Sequence, residues 1–169
     1  MQIRIRNEVP ADIAAIYALT EAAFLDAPHT DHTEQYIVNA LREAGALAIS
    51  LVVECEGRLV GHLALSLVTI SDNSPHWYGL GPISVLPEMQ GKGIGSQLMQ
   101  AGIEALKKAK ANGCVLLGEP KFYQRFGFAP KTGLVLPGVP EAYFLALKLA
   151  AEQPVGEVSY HAAFQVKGE

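Results

Sequence analysis

Cationic side chains are scarce in this chain: Lys and Arg number 13 against 17 Asp and Glu, for a net charge of -4 at pH 7. Nucleic-acid binding draws on clustered cations that neutralise phosphates, so no nucleic-acid partner is expected. Cysteine is nearly absent. Cys55 and Cys114 are the only two; both stand in apolar, strand-like settings, and neither has a Cys-x-x-Cys or histidine partner at metal spacing. They read as buried thiols in a reducing cytoplasm, with no metal expected. No apolar run is long enough to span a bilayer, and charges interrupt the start, Met1-Gln2-Ile3-Arg4-Ile5-Arg6. Neither membrane insertion nor secretion is therefore expected, and the cytoplasm is the expected location. Internal repeats, low-complexity tracts and charged tails are also missing.

What is present is apolar material. Half of the 169 residues are hydrophobic and 18% are charged, enough for one domain to bury a core without disulfide or metal support. Residues 2–6 alternate as a strand, and after Pro10 the residues Ile13, Ile16, Tyr17 and Phe24 recur at helical spacing. A turn-rich break containing Pro28 precedes a second helix over 33–43, with Tyr36, Ile37, Ala40 and Leu41 on one face and Gly45 at its end. Residues 47–54 and 58–70, separated by Glu56-Gly57, predict an antiparallel hairpin.

Residues 77–85 predict a fourth strand, and Gly79, Gly81 and Pro82 within it predict a bulge. From Ile94 a stripe of Leu98, Ala101, Ala105, Leu106 and Ala109 predicts a long helix closed by Gly113. A buried strand over 114–117, a short helix over 120–126, a strand over 142–149 and a further segment over 158–166 complete the pattern. The element order is βααβββαβαβ plus a C-terminal extension, an α/β sheet with helices on both faces. The domain is expected over 1–149, with 150–169 packed on it as the extension.

The most informative segment joins the fourth strand to the long helix: Val85-Leu86-Pro87-Glu88-Met89-Gln90-Gly91-Lys92-Gly93-Ile94-Gly95-Ser96. Glycines let the backbone approach a ligand closely, and a helix start leaves unpaired N–H groups with partial positive charge. A pyrophosphate is therefore the expected ligand, with Lys92 adding an exposed cation. A nucleoside-triphosphate loop requires Ser or Thr after Gly91-Lys92, where Gly93 stands. A dinucleotide fingerprint requires a third glycine at Ser96 and a place near the first strand, which this mid-chain turn lacks.

The turn resembles the acetyl-CoA motif of the GNAT superfamily, Arg/Gln-x-x-Gly-x-Gly/Ala, through Gln90, Gly93 and Gly95 after the strand Ile83-Ser84-Val85. Phe122-Tyr123-Gln124-Arg125-Phe126-Gly127-Phe128 is similar to the superfamily's Phe-Tyr-x-x-x-Gly-Phe signature. Leu117-Gly118-Glu119-Pro120 and Ser159-Tyr160-His161 resemble a bacterial branch of predicted N-acetyltransferases.

The resemblance implies a mixed, mostly antiparallel central sheet with a splayed fourth and fifth strand. It also implies an acetyl-CoA-dependent enzyme that acetylates a primary amine of a small molecule or protein. On this reading Gln90, Gly91, Lys92, Gly93, Ile94 and Gly95 hold the pyrophosphate, and Ile83 and Val85 pair with the pantetheine arm. The Ile83 amide meets the oxyanion, and Tyr123 protonates the departing thiolate.

Glu119, His62, His76 and Ser84 are candidates for the base, and Glu119 equally suits a helix cap. His29 and His32 border the implied acceptor pocket. Trp77 and Tyr78 read as packing aromatics. Where relatives carry Asn-x-x-Ala before Phe-Tyr, this chain has Leu116 and Glu119. A catalytically silent acyl-CoA-binding regulatory module, or a transferase for another acyl-CoA, are the alternative readings. The C-terminal segment with Tyr160, His161 and Phe164 suits either sheet extension or pairing with a second copy, a homodimer being the expected assembly.

Overall fold

Alternation at the start of the chain yields the strand β1 (Ile3–Asn7) of a computed structural model that describes residues 1–150 and 152–168. Ala151 and Glu169, both in the expected C-terminal extension, lie outside the described residues. After a short 3₁₀ turn come α1 (Ile13–Phe24) and α2 (Glu34–Glu43). Asp12 fixes the approach to α1: its carboxylate accepts the Val9 amide at 2.8 Å and pairs with Arg6 at 2.7 Å. The hairpin follows as β2 (Ile49–Cys55) and β3 (Arg58–Leu67), then β4 (Thr69–Ile70) and β5 (Trp77–Val85). The remaining elements are α3 (Ile94–Lys108), β6 (Gly113–Leu117), α4 (Pro120–Tyr123), β7 (Leu134–Val135), β8 (Phe144–Lys148) and β9 (Gly156–Ser159).

Six strands form the main sheet in the order β1-β2-β3-β5-β6-β8, antiparallel except where β5 meets β6. The pleat sends Leu51, Val53, Leu63 and Leu65 to one face, where they pack on Ile94, Leu98, Met99 and Leu106 of α3. Each such fully buried side chain contributes about 1.5–3 kcal/mol. Val52 points to the opposite face and meets Ile16 of α1 and Val38 of α2. Helices thus cover both faces, as the periodicity predicts.

Two features of β5 shape the centre of the molecule. Opposite β3 its register shifts: Leu63 pairs with Ile83 but Leu65 with Leu80, so Gly81 and Pro82 together face one residue. This is the bulge the glycine and proline predict. On its other side β5 pairs with β6 only over Trp77–Gly79, against Gly113–Val115. Beyond Gly79 the two strands separate and leave an open edge along the second half of β5.

Several boundaries differ from the sequence pattern. The 58–70 stretch is two strands, because the Val68 amide donates to Trp77 O at 2.9 Å while Thr69 and Ile70 turn away to pair with β9. With β7, these form a small second sheet in the order β4-β9-β7. The C-terminal segment is strand only over 156–159; residues 162–165 form a 3₁₀ turn whose Ala163 packs on Ile37 and Leu41 of α2. The 120–126 helix is α4 followed by a 3₁₀ turn over 124–126.

Gly113 does not close α3, which ends at Lys108, with Lys110 adopting the left-handed φ of 60°. It opens β6 beneath the fully buried Trp77, where a Cβ would fall 2.3 Å from the indole. Cys114 is buried and its thiol is pushed up by burial, whereas Cys55, expected to be buried, is half-exposed at the end of β2; both are free.

Candidate active site

The glycine turn after β5 is shaped by positive φ. Gly91 and Gly93 sit at φ 76° and 84°, a region that costs any L side chain strain, and Gly93 is the N-cap of α3. No side chain caps that helix, so its first N–H groups face outward without intrahelical acceptors. They open on a cavity of about 360 Å³ lined by Val85, Gln90, Gly91, Gly93, Ile94 and Gly95. Gly95 lies at its wall: a Cβ there would meet only Phe122, at 3.7 Å. Lys92 is exposed in the turn and is not part of the lining. Gln90 has a structural job as well, since its side-chain amide donates to the Val85 carbonyl at 3.1 Å and ties the turn to the strand end.

That bond fits the direction of the β5 backbone. Leu86 N donates to Val60 O at 2.9 Å. Bonded and non-bonded pairs alternate in an antiparallel ladder, so the His62–Ser84 pair is the next bonded one. The peptide groups of Ile83 and Val85 accordingly point away from β3, toward the edge that β6 has left.

Phe122 and Arg125 close the cavity from the other side. The Arg125 guanidinium lies 4.7 Å from the Phe122 ring centre and its Nε donates to Phe122 O at 3.3 Å. Neither residue was expected in the site. Phe122 stood in the signature as a neighbour of Tyr123, and Arg125 occupies one of its variable positions. Tyr123 follows on α4, half-buried edge-on to Phe122 with ring centres 4.9 Å apart, and burial raises its phenol above the ordinary value. The ring crosses Gly118, where a Cβ would lie 2.3 Å from it. The segment Leu117-Gly118-Glu119-Pro120 thus leaves room for the tyrosine.

Glu119 holds the N-cap position of α4, and its backbone carbonyl accepts the Phe122 and Tyr123 amides at 3.1 and 3.3 Å. Its side chain makes no cap hydrogen bond and is exposed. Leu116, at the other departure position, is buried in the core beneath α3.

A second cavity, of about 580 Å³, borders the bulge of β5 on Leu80, Gly81 and Pro82 and the end of β6 at Leu117. Glu34 of α2 and Tyr160 also line it, whereas His29, His32, Trp77 and Tyr78 do not. Both loop histidines are exposed, with φ of 57° and 59°, and His76 is likewise exposed at 58°. Trp77 and Tyr78 pack in the core. Glu34 was missed because an acidic residue in the first turn of a helix reads as a partner of the helix dipole.

The other two candidates for the base meet across the sheet. His62 and Ser84 are cross-strand partners on the α1/α2 face, both buried. His62 Nε2 is 2.8 Å from Ser50 Oγ, which in turn donates to Glu8. Burial holds the imidazole down at about 4, despite the opposing charge of Glu8, so it is neutral at pH 7. Among the described residues, no group of three or more His, Cys, Asp or Glu is arranged to hold a metal ion. No helix among them is long and apolar enough to cross a membrane.

Comparison with known proteins bears on this geometry. Residues 4–130 match the family model described as "Acetyltransferase (GNAT) domain". The chain is similar to the N-acetyltransferase YhbS of Escherichia coli (strain K12), 34% identical over 125 residues that span 73% of this chain and 72% of YhbS. The structure is similar to that of a GNAT family acetyltransferase from Brucella melitensis in complex with acetyl-CoA. The two are 46% identical with a TM-score of 0.86, covering 96% of this chain and 98% of the other. It is also similar to the crystal structure of Escherichia coli YhbS in complex with CoA, at 32% identity and a TM-score of 0.89 over 99% of this chain and 94% of that one.

Proposed function

The chain belongs to the GNAT acetyltransferase family, and from that premise we propose that it moves an acetyl group from acetyl-CoA to a primary amine by direct attack of the amine on the thioester. The observation that carries this reading is the juxtaposition of an uncapped, glycine-lined helix start with the unpaired edge of β5. The similar proteins from Brucella melitensis and Escherichia coli were solved with acetyl-CoA and CoA, which supports the same ligand here.

In this proposal the pyrophosphate lies on the amides at Gly91, Gly93, Ile94 and Gly95, where partial positive charge is fixed in place without many cationic side chains. Gln90 holds the turn, and Lys92 and Arg125 supply cations at its rim. The pantetheine arm runs along Ile83 and Val85 as an added strand would, taking the peptide groups that β6 leaves free other than the Val85 carbonyl, which Gln90 already holds. The thioester then reaches the bulge, and the second cavity receives the acceptor.

Glu119 and Tyr123 are in the lining of neither cavity but stand within two residues of Leu117 and Phe122, which are, and the family resemblance supplies their roles. The acceptor ammonium loses a proton to Glu119, whose carboxylate is not engaged as a cap, and the free amine attacks the thioester carbon. A C–N bond forms while the carbonyl oxygen gains negative charge, which the Ile83 amide meets. As the C–S bond breaks, Tyr123 donates its phenolic proton to the sulfur. The phenol is protonated at neutral pH, as an acid must be, and burial raises it further above its ordinary value. A proton from the attacking nitrogen restores the tyrosine. The sum is an N-acetylated amine, CoA thiol and one released proton.

Release of free thiol from acetyl-CoA in the presence of amines tests the proposal. Tyr123→Phe should slow it about 100-fold while acetyl-CoA binding is retained. Tight binding with no release across a broad amine panel would favour a regulatory module instead, and faster release from succinyl- or propionyl-CoA would reassign the donor.

A further inference from the structure

The second cavity is mostly apolar, with Ser159, Tyr160 and Gln165 as neutral polar residues in its lining. Phe24, Leu80, Leu117, Leu136, Val158 and Phe164 line it, and among its described lining residues Glu34 is the one ionisable carboxylate, with no Lys, Arg or His. The two oxygens of Glu34 are treated differently. Oε2 accepts the Thr30 hydroxyl at 2.6 Å, which fixes the side chain against the loop between α1 and α2. Oε1 has no hydrogen-bond partner but is buried in the cavity wall, so a donor in the cavity reaches it only once the carboxylate turns. A buried carboxylate oxygen without a donor carries an unrecovered desolvation cost, and a donor of positive charge offsets it best.

Resting on the acetyl-transfer reading above, we propose that the acceptor is a small amine with an apolar aliphatic or aromatic body and no carboxylate. Glu34 recognises its ammonium. A cavity of about 580 Å³ has the size of a small-molecule site. Its walls match a hydrocarbon or ring, not the polar neighbourhood of a lysine on a protein surface. An amine is an ammonium at neutral pH, so the charge that enters this apolar space is one that Glu34 complements. An amino acid brings a carboxylate as well, which meets the Glu34 charge with no cation in the lining to balance it. Glu34 acts here as a specificity residue; proton removal and thiolate protonation belong to Glu119 and Tyr123.

Phenethylamine and phenylalanine differ only by the carboxylate, which makes them the decisive pair. With acetyl-CoA and the 169-residue chain, thiol release should favour phenethylamine over phenylalanine by tenfold or more in kcat/KM. Glu34→Gln keeps an oxygen for the Thr30 hydroxyl and removes the charge. It should raise KM for phenethylamine tenfold or more with little change in acetyl-CoA affinity, and Glu34→Asp should recover part of the loss. Equal or better use of phenylalanine, or an unchanged KM in Glu34→Gln, overturns the amine class while leaving acetyl transfer intact. A protein that binds no acetyl-CoA overturns the acetyl-transfer reading, and this proposal with it.

Discussion

The two cavities beside β5 are built by opposite means. The glycine-turn cavity takes most of its wall from one continuous stretch, 85–96, and presents backbone amides. The cavity at the bulge gathers Phe24, Glu34, Leu80, Leu117, Leu136 and Phe164 from six separate stretches and presents side chains. The contrast extends to the faces of the sheet. The α3 face is packed with aliphatic residues, while the α1/α2 face buries His62, Ser66 and Ser84, each with a polar atom that has no partner. In the proposed function the first cavity would hold the shared cofactor through a local backbone motif, and the second the acceptor through side chains brought from afar.

The larger of two further effects concerns the polar face. The unfolded chain takes up a proton at a histidine near 6.5, whereas His62 in the fold resists it until about 4. Stability should therefore be full above pH 6.5, fall as pH drops through this window, and level off below 4. The loss attributable to His62 is about 3 kcal/mol. Urea unfolding at pH 7, 5.5 and 4 measures it, and His62→Gln, which has no proton to gain in that range, should flatten the profile. An equally steep profile in the variant would place the sensitivity elsewhere, though not in Glu8, whose contribution is lost only below its ordinary value of 4.5. Burial would raise the Glu8 carboxyl, but hydrogen bonds from Arg42 and Ser50 outweigh it and leave it below the ordinary value.

A smaller effect sharpens the account of the cradle. If backbone amides do most of the binding, Arg125→Ala should weaken acetyl-CoA by about three- to tenfold, because an exposed charge is screened by water and salt. The difference from wild type should shrink further at high salt. A loss of a thousandfold would move the weight from backbone to side chain and break the contrast between the two cavities.

The same contrast explains what was legible in the sequence. The order of the main elements, the bulge at Gly81-Pro82 and the glycine-lined helix start are local, and periodicity and glycine placement report local conformation directly. Gly113 misled because its reason is nonlocal: the Trp77 ring of another strand lies over it. The 58–70 stretch misled because a largely apolar run hides a change of sheet after Leu67. Glu34 and Arg125 went unseen for a related reason. A first-turn acid and a variable position in a signature acquire meaning only once tertiary packing brings cavity walls to them.

The most direct test of the central claim, that the turn before α3 is the acetyl-CoA site, is calorimetric titration of acetyl-CoA into the wild type and into Gly95→Glu. Gly93 and Gly91 suit this test less well, since their positive φ strains any replacement. Gly95 has no such restriction and open contact only with Phe122, so a glutamate there puts bulk and negative charge into the cradle of a properly folded protein. The account predicts binding by the wild type and a loss of about a hundredfold or more in the variant. Equal binding by the two proteins, or none by either, would contradict it.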